Sequence, residues 1–167
     1  MFLDLREIIE RPGASVPFVC ELSTERLDFP AVAAYLSPPG ATGTVANSAG
    51  VLTLSGVLQA ELLCRCDRCA ALFEQHRELA LSVPLAAELQ DEDNPDIFLL
   101  QGDSLDLQEL LETCFILDMD AKFLCREDCA GLCAECGANL NDSPCGCHQS
   151  SDPRLAVLQQ LLDDKDQ

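Results

Sequence analysis

Positive charge is scarce in this 167-residue chain: ten lysines and arginines stand against 29 aspartates and glutamates, for a formal net charge of −19. A nucleic-acid binder gains affinity by neutralising phosphates and releasing their counterions, so this balance disfavours direct RNA contact and makes a basic protein the better electrostatic partner. The same acidity also serves solubility, a role that names no partner. Histidine is scarcer still, with only His76 and His148. Neither a His-Glu-x-x-His element nor the His-x-Glu element of a zinc deaminase is present, which removes the common ligand-and-base sets of metal hydrolases. Long apolar runs are missing too: Phe29 to Leu36 and Val51 to Leu63 are too short or too interrupted to span a bilayer. The opening Met1-Phe2-Leu3-Asp4-Leu5-Arg6-Glu7 lacks the basic start and apolar core of a secretory signal. The expectation is a cytoplasmic protein with no membrane segment.

Apolar residues make up 48% of the chain, enough for one ordinary core and a small appended module. Val16 to Leu22 reads as an early strand, and Ser37-Pro38-Pro39-Gly40 as a loop. From Val51 to Leu63 the even positions Leu52, Leu54, Leu58, Ala60 and Leu62 are apolar, whereas the odd ones include Thr53, Ser55, Gln59 and Glu61. That period of two predicts a half-buried strand. Phe73, Leu79, Leu81, Val83 and Leu85 repeat the pattern against Glu74, His76, Glu78 and Ser82, which predicts a second strand antiparallel to the first. The run Cys64-Arg65-Cys66-Asp67-Arg68-Cys69 falls at the turn between them.

The acidic run Gln90 to Asp96 has no apolar period and reads as a solvated connection. Asp106 then opens a helix, with Glu109 at capping-box spacing and a Leu105–Leu110 staple. Leu107, Leu110, Leu111 and Cys114 share one of its faces. Ser151-Asp152-Pro153 opens a terminal helix with a stripe of Leu155, Leu158 and Leu162. The fold class expected is α+β: an antiparallel β-rich core, then a Cys-rich zinc-binding C-terminal segment and a terminal helix. The division expected is a β-rich domain over 1–100 and, over 101–167, the helix, the zinc-binding segment and the last helix, packed with the first as one unit.

Eleven cysteines in a chain without a secretory signal are expected to stay reduced, which points to metal ligation. Six of them crowd into one stretch: Cys125, Cys129, Cys133, Cys136, Cys145 and Cys147. Cys133-Ala134-Glu135-Cys136-Gly137 has the form of a zinc knuckle, two thiolates on one ion and a glycine for the tight turn beyond. The run from Asn139 to Pro144 turns the chain back, so Cys145 and Cys147 can complete that site. Cys66 and Cys69 with Cys125 and Cys129 make a second set of four, which would clamp the strand turn to the C-terminal segment. One or two structural zinc ions follow. The competing reading makes some of these thiols small buried hydrophobes. Cys20 and Cys114 are read as core, and Cys64 as a substitute for Cys66. A thiol oxidoreductase is not expected, because Cys66-x-x-Cys69 joins strands, whereas a reactive pair opens a helix that lowers its thiol pKa. No enzymatic activity is expected.

The stretch from Leu124 to Asn141, followed by Cys145, Cys147 and Asp152-Pro153-Arg154-Leu155, resembles the YceD family of large ribosomal RNA subunit accumulation proteins. Cys66-Asp67-Arg68-Cys69 ahead of Phe73 is similar to that family's Cys-x-Arg-Cys element, whereas residues 1–50 share only its general character. The resemblance implies a ribosome biogenesis factor that supports accumulation of large-subunit (23S) ribosomal RNA and 50S assembly. Family members that lack the Cys133 to Cys147 block but keep the earlier pair favour two separable metal sites. Ala134 departs from the family, where proline is common, without removing a ligand. The partner expected is a basic ribosomal protein or a 50S assembly particle. Direct ribosomal RNA contact needs Arg65, Arg68, Arg77, Lys122 and Arg126 to converge; otherwise they are ordinary surface charge. The alternative function is a zinc-dependent regulatory or chaperone-like protein-binding module unrelated to ribosome assembly.

Overall fold

The computed structural model describes residues 1–87 and 97–147. In chain order the elements are β1 (Phe2–Asp4), α1 (Arg6–Ile9), β2 (Ser15–Glu21), β3 (Val32–Tyr35), β4 (Gly40–Ser48), β5 (Val51–Arg65), β6 (Leu72–Ala86), β7 (Phe98–Leu99), β8 (Ser104–Asp106) and α2 (Leu107–Asp118). The main sheet runs β2-β4-β5-β6-β7, with β3 also paired to β5, and β1 with β8 forms a separate ladder. Pairing is antiparallel except that β7 runs parallel to β6.

The period of two in the sequence becomes the two faces of β5 and β6. Leu52, Leu54, Leu58, Ala60, Leu62 and Cys64 are all buried along β5. The strands pair without a break from Leu52 opposite Leu85 to Arg65 opposite Leu72. Glu74, His76, Glu78 and Ser82 of β6 face outward. A one-residue slip would move every one of these leucines to solvent, which is why alternation specifies register so strongly.

The expected strand over Val16 to Leu22 is β2, whereas β3 and β4 carry no comparable signal. Strand β4 is built from Gly40, Ala41, Thr42, Gly43, Thr44, Val45, Ala46, Asn47 and Ser48, residues that favour strands weakly on their own. Packing requires the small ones. Gly43 lies opposite both Gly56 of β5 and Phe18 of β2, and a Cβ at Gly43 would sit 2.2 Å from the Ser55 carbonyl and 2.9 Å from the Phe18 ring.

Helix α2 begins as its sequence predicts: the Asp106 carboxylate accepts from the backbone N–H groups of Gln108 at 3.0 Å and Glu109 at 3.4 Å. Leu107, Leu110 and Leu111 are buried, and Cys114 is half-buried against the core. Phe115, absent from the expected stripe, is also buried and meets Phe29 edge-to-face with ring centroids 6.1 Å apart. Glu112 is a buried carboxylate on this helix, made tolerable by the Gln108 amide at 2.5 Å and the Arg26 guanidinium at 3.3 Å. At the far end of α2, Arg77 of β6 donates to the Asp118 carbonyl at 2.6 Å and to the carboxylates of Asp118 and Asp120.

The chain divides into two compact units. Met1–Asp67 with Ala71–Cys125 carries every strand and helix named above, and Arg68–Ala70 with the described residues from Arg126 onward forms the second. The acidic connection over Gln90 to Asp96 and the terminal helix expected from Ser151 lie outside the described residues. Among the described residues no helix is long and apolar enough to cross a membrane.

Candidate metal centres

Strand β5 ends at Arg65 and the chain turns at once, closed by a hydrogen bond from the Cys66 N–H to the Ala71 carbonyl at 2.9 Å. Asp67 in this turn binds the backbone of Phe123 twice: its N–H donates to the Phe123 carbonyl at 2.8 Å, and its carboxylate accepts from the Phe123 N–H at 2.6 Å. Phe123 is buried, and two residues beyond it stands Cys125. The sulfurs of Cys66, Cys69, Cys125 and Cys129 all lie within 4.8 Å of one another. A tetrahedral ion with metal–sulfur bonds of about 2.3 Å needs sulfurs about 3.8 Å apart, so shifts of about 1 Å or less complete the geometry. Cys66, Cys69 and Cys129 are buried and Cys125 is half-buried.

The second group is assembled by a short hairpin. Leu132 and Asn139 form an antiparallel bridge, Leu140 donates to the Gly131 carbonyl at 2.9 Å, and Cys133 donates to the Ala138 carbonyl at 2.8 Å. Gly137 closes the tip with φ +72, the left-handed conformation its place after Cys136 suggests, and donates to the Cys133 carbonyl. Cys133, Cys136, Cys145 and Cys147 thereby bring their sulfurs within 4.8 Å of one another. Cys133 is buried, Cys145 half-buried, and Cys136 and Cys147 exposed.

Crowded thiols cannot all ionise without a cation. The backbone N–H groups of Cys136 and Glu135, with the Cys145 thiol, hold the Cys133 thiol down to about 6. Cys147 is pushed up to about 12, first by its hydrogen bond to Cys136 and further by its hydrogen bond to Cys133. The Cys133 thiolate forms readily while the Cys145 and Cys147 thiols are pushed up, which is the charge problem a divalent ion resolves. Both groups consist of cysteine alone. Four soft sulfur donors suit a closed tetrahedral metal site and leave no position for water or substrate. All eight thiols expected as ligands therefore fall into the two sets of four read from the sequence, and each set can hold a metal ion.

Residues 54–162 match the large ribosomal RNA subunit accumulation protein YceD, more than half of this chain and both cysteine groups. The chain belongs to the YceD family. Uncharacterized proteins of Mycobacterium tuberculosis and Mycobacterium bovis are each 29% identical to it over 119 residues, covering 69% of this chain and 57% of theirs. The chain thus spans little more than half the length of those relatives. An uncharacterized protein of Mycobacterium leprae is 24% identical over 169 residues, covering 95% of this chain and 76% of its own. No solved structure matches.

The other thiols of this YceD-family chain are placed differently. Cys64, read as a substitute for Cys66, instead points to the core from β5, with its sulfur 3.7 Å from the Gln75 side chain. The parity of β5 decides this, because Cys64 continues the buried even positions and Cys66 lies past the strand's end. Cys20 is buried and Cys114 half-buried. Burial pushes all three of these thiols up, which makes them poor nucleophiles.

Four supporting residues have roles that spacing alone does not give. Asp67 holds the turn to Phe123, as described. Arg68 donates to the Cys129 carbonyl at 2.8 Å and the Glu127 carbonyl at 3.4 Å, while its own carbonyl accepts from Leu132 at 3.1 Å. Gly131 makes that approach feasible: its φ is +78, and a Cβ there would lie 3.1 Å from the Arg68 carbonyl. Asn141 accepts from the Ala130 N–H at 2.8 Å and donates its amide N–H to the Cys129 sulfur at 3.4 Å. The Cys-x-Arg-Cys element carries the signal for Arg68; Asn141 has none beyond its place in a turn-forming run.

Proposed function

We propose that this chain is a non-catalytic cytoplasmic factor supporting accumulation of large-subunit (23S) ribosomal RNA and assembly of the 50S subunit, with a structural zinc in each four-cysteine group. The match of residues 54–162 to the large ribosomal RNA subunit accumulation protein carries this reading. Zinc is favoured because four thiolates satisfy its tetrahedral preference and make a site that stabilises a fold. The partner proposed is a basic ribosomal protein or an assembly particle. The net charge of −19 supports a protein contact over naked RNA. So does the engagement of basic side chains within the protein: Arg77 pairs with Asp118 and Asp120, and Arg126 with Asp128.

Depletion of the protein with quantification of both ribosomal RNAs tests the role. Large-subunit RNA is expected to fall relative to small-subunit RNA; an unchanged ratio contradicts the ribosomal assignment and favours a protein-binding module of another kind. Binding of purified protein to naked large-subunit RNA and to large-subunit proteins, at matched salt, tests the partner. Tight binding to the RNA with none to the proteins rejects the protein contact.

A further inference from the structure

The hairpin that presents Cys133 and Cys136 also delivers a side chain to the other cysteine group. Its strands meet through the Leu132–Asn139 bridge and the bond from Leu140 to the Gly131 carbonyl, so the next residue, Asn141, emerges at the hairpin's base. There its Oδ1 accepts from the Ala130 N–H at 2.8 Å and from the Arg126 guanidinium at 2.7 Å. With that oxygen occupied, the amide nitrogen faces the other way and donates to the Cys129 sulfur at 3.4 Å. Asn139 fixes the arrangement by accepting from both the backbone and the side-chain nitrogen of Asn141, at 3.1 and 2.7 Å. An N–H group directed at a metal-bound thiolate offsets part of its negative charge, and partners of this kind commonly change metal affinity by about 10–100-fold.

We propose that Asn141 is a positioning residue that couples metal occupancy of the two groups. Metal on Cys133, Cys136, Cys145 and Cys147 holds the hairpin closed, the closed hairpin keeps the Asn141 amide on Cys129, and that contact tightens the Cys66, Cys69, Cys125 and Cys129 group. Thermodynamic linkage makes the effect reciprocal: metal on the first group raises affinity at the second by the same factor. The inference rests on metal at both groups and adds a direction of dependence between them.

The test uses the full chain, stripped of metal under reducing conditions and titrated with Zn²⁺ against a chromophoric chelator. Affinity of the Cys66, Cys69, Cys125 and Cys129 group is compared with the second group intact and with it disabled by Cys133→Ser and Cys136→Ser. In the native background, disabling the second group is expected to weaken the first by about tenfold. In an Asn141→Ala background the first group is expected to be weaker from the start and to lose nothing more. Asn141→Asp keeps the oxygen acceptor for Ala130 and Arg126 and removes the donor to sulfur, so it is expected to abolish the coupling even if Asn141→Ala fails to fold. Equal dependence of the first group on the second in the native and Asn141→Asp chains overturns the role of Asn141. Affinity of the first group that ignores the second in the native chain overturns the coupling itself. A native chain that takes up fewer than two ions overturns instead the two-zinc reading beneath it.

Discussion

Truncating Phe115 to alanine probes the contact that seats α2 on the rest of its unit. The ring is 1% exposed, so nearly all of its surface is lost from the core on substitution. Burial and the residual cavity together put the loss at about 3–5 kcal/mol. Part of it belongs to the edge-to-face contact with Phe29, whose centroid lies 6.1 Å away; pairs in this geometry contribute about 0.5–1.5 kcal/mol beyond area burial. Urea unfolding followed by far-ultraviolet circular dichroism measures the loss. A double-mutant cycle with Phe29→Ala separates the ring contact from the cavity. The expected result is a large fall in the midpoint for Phe115→Ala and an interaction energy near 1 kcal/mol across the cycle. A loss below about 1 kcal/mol, within the ordinary range for non-core positions, would refute the placement of Phe115. Strict additivity of the two substitutions would refute the contact with Phe29.

Gly56→Ala places a Cβ 2.3 Å from the Thr42 carbonyl, and overpacking of this kind should cost about 1–3 kcal/mol; denaturant midpoints equal to those of the native chain would show that β4 and β5 part easily. Tyr35, the single tyrosine, donates its hydroxyl to the Leu27 carbonyl at 2.8 Å, and burial pushes its pKa up to about 12. Because the folded pKa lies above the unfolded value of 10.0, its contribution to stability is full below pH 10 and declines as pH rises toward 12. Phenolate absorbance is therefore expected to lag that of the unfolded chain; a titration midpoint of 10 in the folded protein would contradict the buried hydroxyl. Cys136 and Cys147 are exposed, whereas three of the first four ligands are buried, so a chelator should strip the second group first. Simultaneous modification of thiols from both groups, mapped by mass spectrometry after partial chelation, would count against that order.

What was legible in the sequence was whatever a short period or a fixed spacing encodes. Leucines at alternate positions set β5 and β6 and, through them, the turn that carries Cys66 and Cys69. Asp106 announced α2 because an uncapped helix start leaves N–H groups without partners. Spacing suggests the quartet of Cys133, Cys136, Cys145 and Cys147, but sequence does not give the pairing of Cys66 and Cys69 with Cys125 and Cys129, pairs left over once the first quartet is drawn; the fold brings those four sulfurs within 4.8 Å of one another. Strand β4 is not legible, because Gly43 is selected by the closeness of Ser55 and Gly56 on β5 and leaves no apolar alternation, and β3, with 4 residues, is too short to show a period. Phe115 stands four residues past Leu111 and eight past Leu107, so its burial follows from the helical period; only its edge-to-face contact with Phe29 is beyond the sequence. Asn141 was missed because a donor to sulfur is a matter of three-dimensional aim, and its sequence neighbourhood reads simply as a turn.

Metal stoichiometry tests the central claim most directly. The chain is purified under reducing conditions and weighed intact by native mass spectrometry, alongside a Cys133→Ser and Cys136→Ser variant and a Cys66→Ser and Cys69→Ser variant. Two groups of four sulfurs, each within 4.8 Å, should give two zinc ions in the native chain and one in each variant. A native chain without metal and with all its thiols freely titratable would contradict the account, as would a variant that kept both ions.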